Sequence, residues 1–265
     1  MDRIDLLDSG FLYLESPETP MHVAGLHLFK LPPRVHEAKF MARVREGHRA
    51  STALRKPFGH RVVHGALGRF GPMYWEEDPD IDFDYHVRQS ALPKPGRYRE
   101  LFALVSRLHS NLLDRSRPLW EINVIEGLQN REFAVYTKMH HATVDGVGGI
   151  RLTEGSCSSD PDAETSLSPF SIEAHQRYKA SHGGDRGDRI EPSEFELKAI
   201  ADFFKAQFDT STHFLGVIRN YAATWLGFGG GLAVPWRHVP HTMMNTQVTG
   251  ARRFVAQSWS IERVR

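Results

Sequence analysis

Residues 98–113 constrain the fold more than any other stretch. Leu101, Leu104, Val105, Leu108 and Leu112 recur at the i, i+3, i+4, i+7 spacing of one helical face. The segment "DRSRP" stops the helix, because a proline drives the residue before it out of the helical region. Two apolar runs follow, residues 119–125 ("LWEINVI") and 133–141, joined by the turn-like "EGLQNRE". Both read as strands. A helix with one apolar face beside two strands puts the chain in the α/β or α+β class.

The remaining pattern agrees. Residues 21–31 predict a strand, and 35–49 a helix with Val35, Phe40, Met41 and Val44 available for one face. Residues 61–66, 73–76 and 81–87 are strand-like runs separated by Gly and Pro. A further helix is expected to start near Gly146 and run to the region of Cys157. After Gly155 the composition turns polar and rich in Ser, Gly, Asp and Pro, which reads as linker. The expected organisation is a mixed-sheet subdomain over 1–158, a helical linker over 159–245 and the start of a second subdomain over 246–265.

Within the linker, residues 194–209 place Leu197, Ile200, Phe204 and Phe208 on one side of a helix. A buried docking helix and an interfacial lipid contact both fit that pattern. Residues 214–236 carry only Arg219 as a charge, but the run "GFGGGLAVP" makes a poor helix, which argues against a membrane span. Residues 253–259 predict a strand, with Ser260 as a helix cap and "IERVR" as one turn beyond it. One turn cannot sustain itself, so the expectation is that the chain belongs with a further half.

Composition excludes some functions. The net charge is +1, so there is no basic excess of the kind that nucleic-acid binding needs. The single cysteine, Cys157, forbids an internal disulfide and fits a reducing cytoplasm. The opening "MDRIDLLDSGFLYLE" lacks the apolar core of a signal peptide.

The chemistry-bearing stretch is "YTKMHHATVDGVGGI", residues 136–150. It has three readings. Zinc needs three or four converging ligands, yet neighbours on a strand point to opposite faces, so His140 and His141 do not share one ion. No metal site is expected. A second reading has the pair simply ending a strand before a glycine turn. A third makes one histidine a general base, since an imidazole with an ordinary pKa of about 6.5 accepts protons near neutrality. Asp145, four residues on, could then fix the imidazole or hold the loop, and Gly146 would permit a backbone conformation closed to larger residues. No serine sits in a nucleophile elbow, so the third reading is direct proton abstraction without a covalent intermediate.

"HHATVDG" fits the HHxxxDG signature of CoA-dependent acyltransferases. "PMHV", "DFDYHVR", "LVSRLHSNLLDRSRPLWE", "IEGL", "LLDSGFLYLES" and "GARRFVAQSWSIERVR" further resemble the bacterial wax ester synthase/diacylglycerol acyltransferase family. The resemblance implies a chloramphenicol acetyltransferase-like fold, a mixed sheet flanked by helices. It implies transfer of a fatty acyl group from acyl-CoA to a long-chain alcohol or to diacylglycerol. Acyl-CoA is then a co-substrate and no cofactor is needed. It assigns His141 as the base, His140 as support and Asp145 as an organiser, with Gly146 shaping the turn. The "PLWE" stretch (Pro118, Leu119, Trp120, Glu121) matches a family motif; Trp120 would be a core aromatic or line an acyl channel. A peripheral contact with the inner membrane face or a lipid droplet is implied too. Members have two similar subdomains with the site between them, and the second carries an asparagine–aspartate motif that this chain lacks. The alternative is a non-catalytic half that binds lipid or a partner.

Overall fold

The structure, a computed structural model, describes residues 1–66, 68, 71–158, 160, 167–182, 243 and 249–264. Elements in chain order are β1 (Asp2–Arg3), α1 (Leu6–Leu14), β2 (His22–Lys30), α2 (Glu37–Ala50), β3 (His60–His64) and β4 (Met73–Glu77). They continue with α3 (Phe83–His86), β5 (Val87–Ala91), α4 (Tyr98–Ser110), β6 (Trp120–Leu128), β7 (Glu132–His140), α5 (Gly146–Ser156) and α6 (Ile172–Ser181). A helical turn, Ile261–Val264, follows. The class is mixed α/β, as expected.

The main sheet has the order β2-β7-β6-β5; β5 runs parallel to β6 and the other pairs are antiparallel. A small antiparallel sheet has the order β1-β4-β3. Side chains alternate along β7, so each face of the main sheet has its own core. Ala134 and Tyr136 pack with Leu101 and Val105 of α4. Phe133, Val135 and Met139 pack with Met41 and Val44 of α2. The helices thus flank the sheet on both sides.

The expected amphipathic helix is present but ends at Ser110, and Leu112 is exposed. The Glu100 carboxylate starts it by accepting from the Arg97 N–H at 2.8 Å. Its end is held from outside: Lys138 Nζ donates to the carbonyls of Leu108 and Asn111, at 2.9 Å each. A buried ammonium there satisfies orphan carbonyls and complements the helix dipole. Before this helix, Gly96 has φ +74, and a Cβ on it would lie 1.9 Å from the Gly127 carbonyl oxygen. Only glycine fits that approach.

Three expectations need correction. Residues 81–87 do not form a strand. Asp82 accepts from the Tyr85 N–H at 3.0 Å and caps the short helix α3, and the strand begins at Val87. Residues 253–259 form no strand among the described residues. Just where the strand was expected to start, the backbone meets α4: Arg252 and Phe254 donate their N–H to Ser110 Oγ (3.0 Å) and Ser106 Oγ (2.8 Å). Residues 167–171 read as linker by composition, yet Leu167, Ser168, Phe170 and Ser171 are buried. Phe170 sits between Phe58 and Trp120, at 4.6 Å from each. The helix expected over 194–209 and the apolar run over 214–236 lie outside the described residues.

Candidate active site

Strand β7 ends between the two histidines. His140 is its last residue, and His141 opens a 3-10 turn, His141–Thr143. The pair therefore differs because the strand stops, not because alternation continues through both. His140 has no exposed surface. Its Nδ1 accepts from the Ala142 N–H at 3.0 Å, so the neutral ring carries its proton on Nε2. That atom lies 3.5 Å from Glu15 Oε1.

Glu15 caps α1, and its side chain is 1% exposed. It also accepts from the Met21 N–H (3.1 Å) and from Arg115 Nη2 (3.0 Å). Burial alone would raise its carboxyl. His140, the Met21 amide and the Arg115 guanidinium outweigh that and hold it at about 2. The turn is pinned twice more: Thr143 Oγ1 donates to the His140 carbonyl at 2.7 Å, and the His141 N–H donates to the Met21 carbonyl at 2.8 Å.

His141 is half-buried. Its ring stacks on Phe11 with centroids 4.3 Å apart and planes 20° apart. Among the described residues neither ring nitrogen has a hydrogen-bond partner. One imidazole is thus locked into the protein and its neighbour presents free ring nitrogens beside an aromatic face.

Asp145 does not reach back to an imidazole. It caps α5, accepting from the Gly148 N–H at 2.5 Å, and among the described residues it has no basic partner. The expected reason for Gly146 also fails. Its φ is not positive and a Cβ would meet nothing within 4 Å, so the turn does not require glycine there. The tight position is Gly148, where a Cβ would lie 2.8 Å from Val144 Cγ2 and 2.9 Å from Asp145 Oδ1.

The family model of the wax ester synthase/diacylglycerol acyltransferase catalytic domain matches residues 4–265. The chain belongs to this family. A Mycobacterium bovis protein that bears the name of a diacylglycerol O-acyltransferase is 37% identical over 273 residues, covering 100% of this chain and 55% of the relative. O-acyltransferase WSD of Acinetobacter baylyi is 35% identical, covering 98% of this chain and 53% of the relative. The solved wax ester synthase/diacylglycerol acyltransferase of Marinobacter aquaeolei VT8 superimposes with a TM-score of 0.67 at 31% identity, over 99% of this chain and 54% of that one. The chain spans about half the length of each.

The acyltransferase motif "PLWE" supports the turn from behind. Pro118 and Leu119 are buried, and the Leu119 carbonyl accepts from the His140 N–H at 3.0 Å. Trp120 is a core aromatic: it is fully buried, donates Nε1 to the Phe58 carbonyl at 2.8 Å and stacks on His86 at 4.4 Å. Glu121 lies opposite Lys138 in the sheet register and meets its Nζ at 2.7 Å. Burial lowers the Lys138 pKa, and Glu121 pulls against that. His22, opposite His140 in the register of β2, donates from Nε2 to the His109 carbonyl at 2.8 Å. Burial, then the Lys138 charge, pushes His22 down to about 4.

Sequence reasoning missed Phe11, Glu15 and Arg115. A usable signal was present: Phe11 and Glu15 are four apart, so on a helix they share a face, and a carboxylate closing the run "FLYLE" has to find a partner if it is buried. Among the described residues no helix is long and apolar enough to cross a membrane.

Proposed function

We propose that the chain supplies the general base of an O-acyltransferase that moves a fatty acyl group from acyl-CoA to a long-chain alcohol or diacylglycerol. His141 takes the proton of the acceptor hydroxyl. The oxygen attacks the thioester carbonyl, the tetrahedral adduct collapses, and the CoA thiolate leaves and regains the proton from the imidazolium. No covalent enzyme intermediate forms. His140 positions the turn, and Asp145 organises it by starting α5. Acyl-CoA is the co-substrate, without a further cofactor. A peripheral contact with a membrane or lipid droplet would deliver the lipophilic acceptor.

The observation that carries this reading is the contrast within the pair. His140 is fully buried, accepts a hydrogen bond at Nδ1 and has Nε2 3.5 Å from Glu15, while half-buried His141 keeps both nitrogens unpaired among the described residues. A base needs an unpaired nitrogen within reach of a substrate hydroxyl. The test is thiol release from palmitoyl-CoA with hexadecanol or dipalmitoylglycerol. It uses the chain alone and the chain joined to the half of the Marinobacter relative that lies beyond the matched part. His141→Ala should lower turnover by roughly 10²–10⁴. Unchanged turnover in that variant overturns the assignment. Lipid binding with no turnover in either form would favour a non-catalytic, lipid-binding role.

A further inference from the structure

Helix α1 carries the side chains that meet both histidines: Phe11 stacks on His141, and Glu15, its C-cap, faces His140. Yet the helix is poorly equipped to hold its own last turn. It spans nine residues, with Ser9 and Gly10 inside it. A helix that short is marginal by itself, and both residues are weak helix formers. No basic residue stands in its last turn to meet the final carbonyls and the negative end of the dipole.

That cation comes from elsewhere in the chain. The Phe11 carbonyl accepts from the Glu15 N–H at 3.2 Å, and the Leu14 carbonyl from Thr19 Oγ1 at 3.2 Å. The Leu12 carbonyl accepts from Arg115 Nη2 at 2.5 Å, across 103 positions of sequence. The same guanidinium donates Nη2 and Nε to Glu15 Oε2, at 3.0 and 3.3 Å. One planar fork thus ties a carbonyl and a carboxylate of the same helical end.

Two routes lead on from this tie to His141. Through the helix it holds Phe11, whose ring lies on the imidazole. Through Glu15 it reaches the Met21 N–H at 3.1 Å, and the Met21 carbonyl accepts from the His141 N–H at 2.8 Å. The ring needs such a hold. The terminal torsion of a histidine is broad, and neither ring nitrogen of His141 has a hydrogen-bond partner among the described residues. The lone pair that takes a proton lies in the ring plane, so rotation of the ring swings it away from a hydroxyl. The face of Phe11, 4.3 Å away and 20° from parallel, restricts that rotation.

We propose that Arg115 is a positioning residue for acyl transfer: it closes the end of α1, and α1 holds Phe11 against His141 so that the imidazole plane stays fixed for the acceptor hydroxyl. Arg115 acts through α1 and touches neither the base nor the reacting atoms. The proposal rests on His141 being the base.

The test is NMR of the chain with isotope-labelled histidine rings, together with turnover of palmitoyl-CoA and hexadecanol in the joined chain. The His141 signal is the one missing from His141→Ala, and Phe11→Leu gives its position without the ring current of the stack. In Arg115→Met the signal should move most of the way to that position. In Arg115→Lys, which keeps the charge but not the fork, it should move part of the way. The His48 signal, from α2, is the control and should stay in place. Arg115→Met should lower kcat roughly ten- to a hundredfold with KM for palmitoyl-CoA nearly unchanged, because misplacement is felt in the transition state. Arg115→Lys should recover part of the loss. An unmoved His141 signal in Arg115→Met, a His48 signal displaced along with it, or a loss carried by KM alone each overturns the proposal. A fully active His141→Ala would overturn the base assignment and this proposal with it. An inactive His141→Ala beside an unmoved His141 signal in Arg115→Met overturns the role of Arg115 alone.

Discussion

Glu15→Gln keeps the shape of the side chain and removes the charge on which Arg115, the Met21 amide and His140 converge. The folded carboxyl is held at about 2, from an ordinary 4.5. A one-unit change in pKa is worth about 1.4 kcal/mol. The drop therefore contributes about 3 kcal/mol at neutral pH. The side chain is 1% exposed, so solvent screening takes little away. The folded value lies below the unfolded one, which sets the sign. The contribution is whole above pH 4.5 and is lost as pH falls toward 2. The parent chain should exceed the variant by about 3 kcal/mol near neutrality, and the two should converge by about pH 2–3. Urea unfolding at constant ionic strength, followed by tryptophan fluorescence, measures this gap. Titrating groups common to both proteins cancel from it. A gap that stays constant with pH would refute the reasoning, because it would mean that Glu15 contributes packing and not charge.

Other outcomes follow from the same geometry. Lys138→Met leaves buried Glu121 with only Arg88, 3.8 Å away, and should cost about 3 kcal/mol; thermal melting should show much of that returning in Lys138→Met/Glu121→Leu, and a double variant as unstable as the sum of the singles would contradict the pairing. His22 and His48 both have folded values of about 4, lowered from 6.5. They stay neutral when folded, so stability is whole above 6.5 and declines as pH falls toward 4, with unfolding taking up about two protons near pH 5. The slope of unfolding free energy against pH should shrink by that amount in His22→Gln/His48→Gln, and an unchanged slope counts against it. Asp145→Ala removes the cap of α5 and should cost about 1 kcal/mol, whereas Gly146→Ala should be neutral or stabilising by up to about 1 kcal/mol. Gly155→Ala should destabilise more than either, since its Cβ would lie 2.3 Å from the Ala174 carbonyl oxygen; differential scanning calorimetry ranks the three.

The legible parts of the fold were those with local periodicity. Leu101 and Val105 marked the buried face of α4, and the apolar runs gave β6 and β7 to within a few residues. "HHATVDG" marked the turn, although not why its members differ. The illegible parts depend on partners far away in the chain. Helix α1 carries Ser9 and Gly10 inside it, poor helix formers, and its Phe11 and Glu15 matter because they meet His141 and His140. Ser168 and Ser171 read as linker, yet their hydroxyls and backbone serve a buried turn whose Phe170 fills the space beside Trp120. At Asp82 the competing signal was local: an N-cap acting within three residues outweighed the strand pattern.

Strand β7 pairs with β2 in unbroken register from Lys30↔Glu132 to His22↔His140. The two imidazoles are the same chemical group, told apart only by their place in that count. Deleting one residue within the strand would feed His141 into the slot facing Glu15 and bring Ala142 to the position beside Phe11, with every side chain between changing face. Insertions in surface loops impose no such exchange. Length variation is therefore expected around this strand and not within it, and a library of single-residue deletions across the chain should find β7 silent in acyl transfer even where the protein still folds.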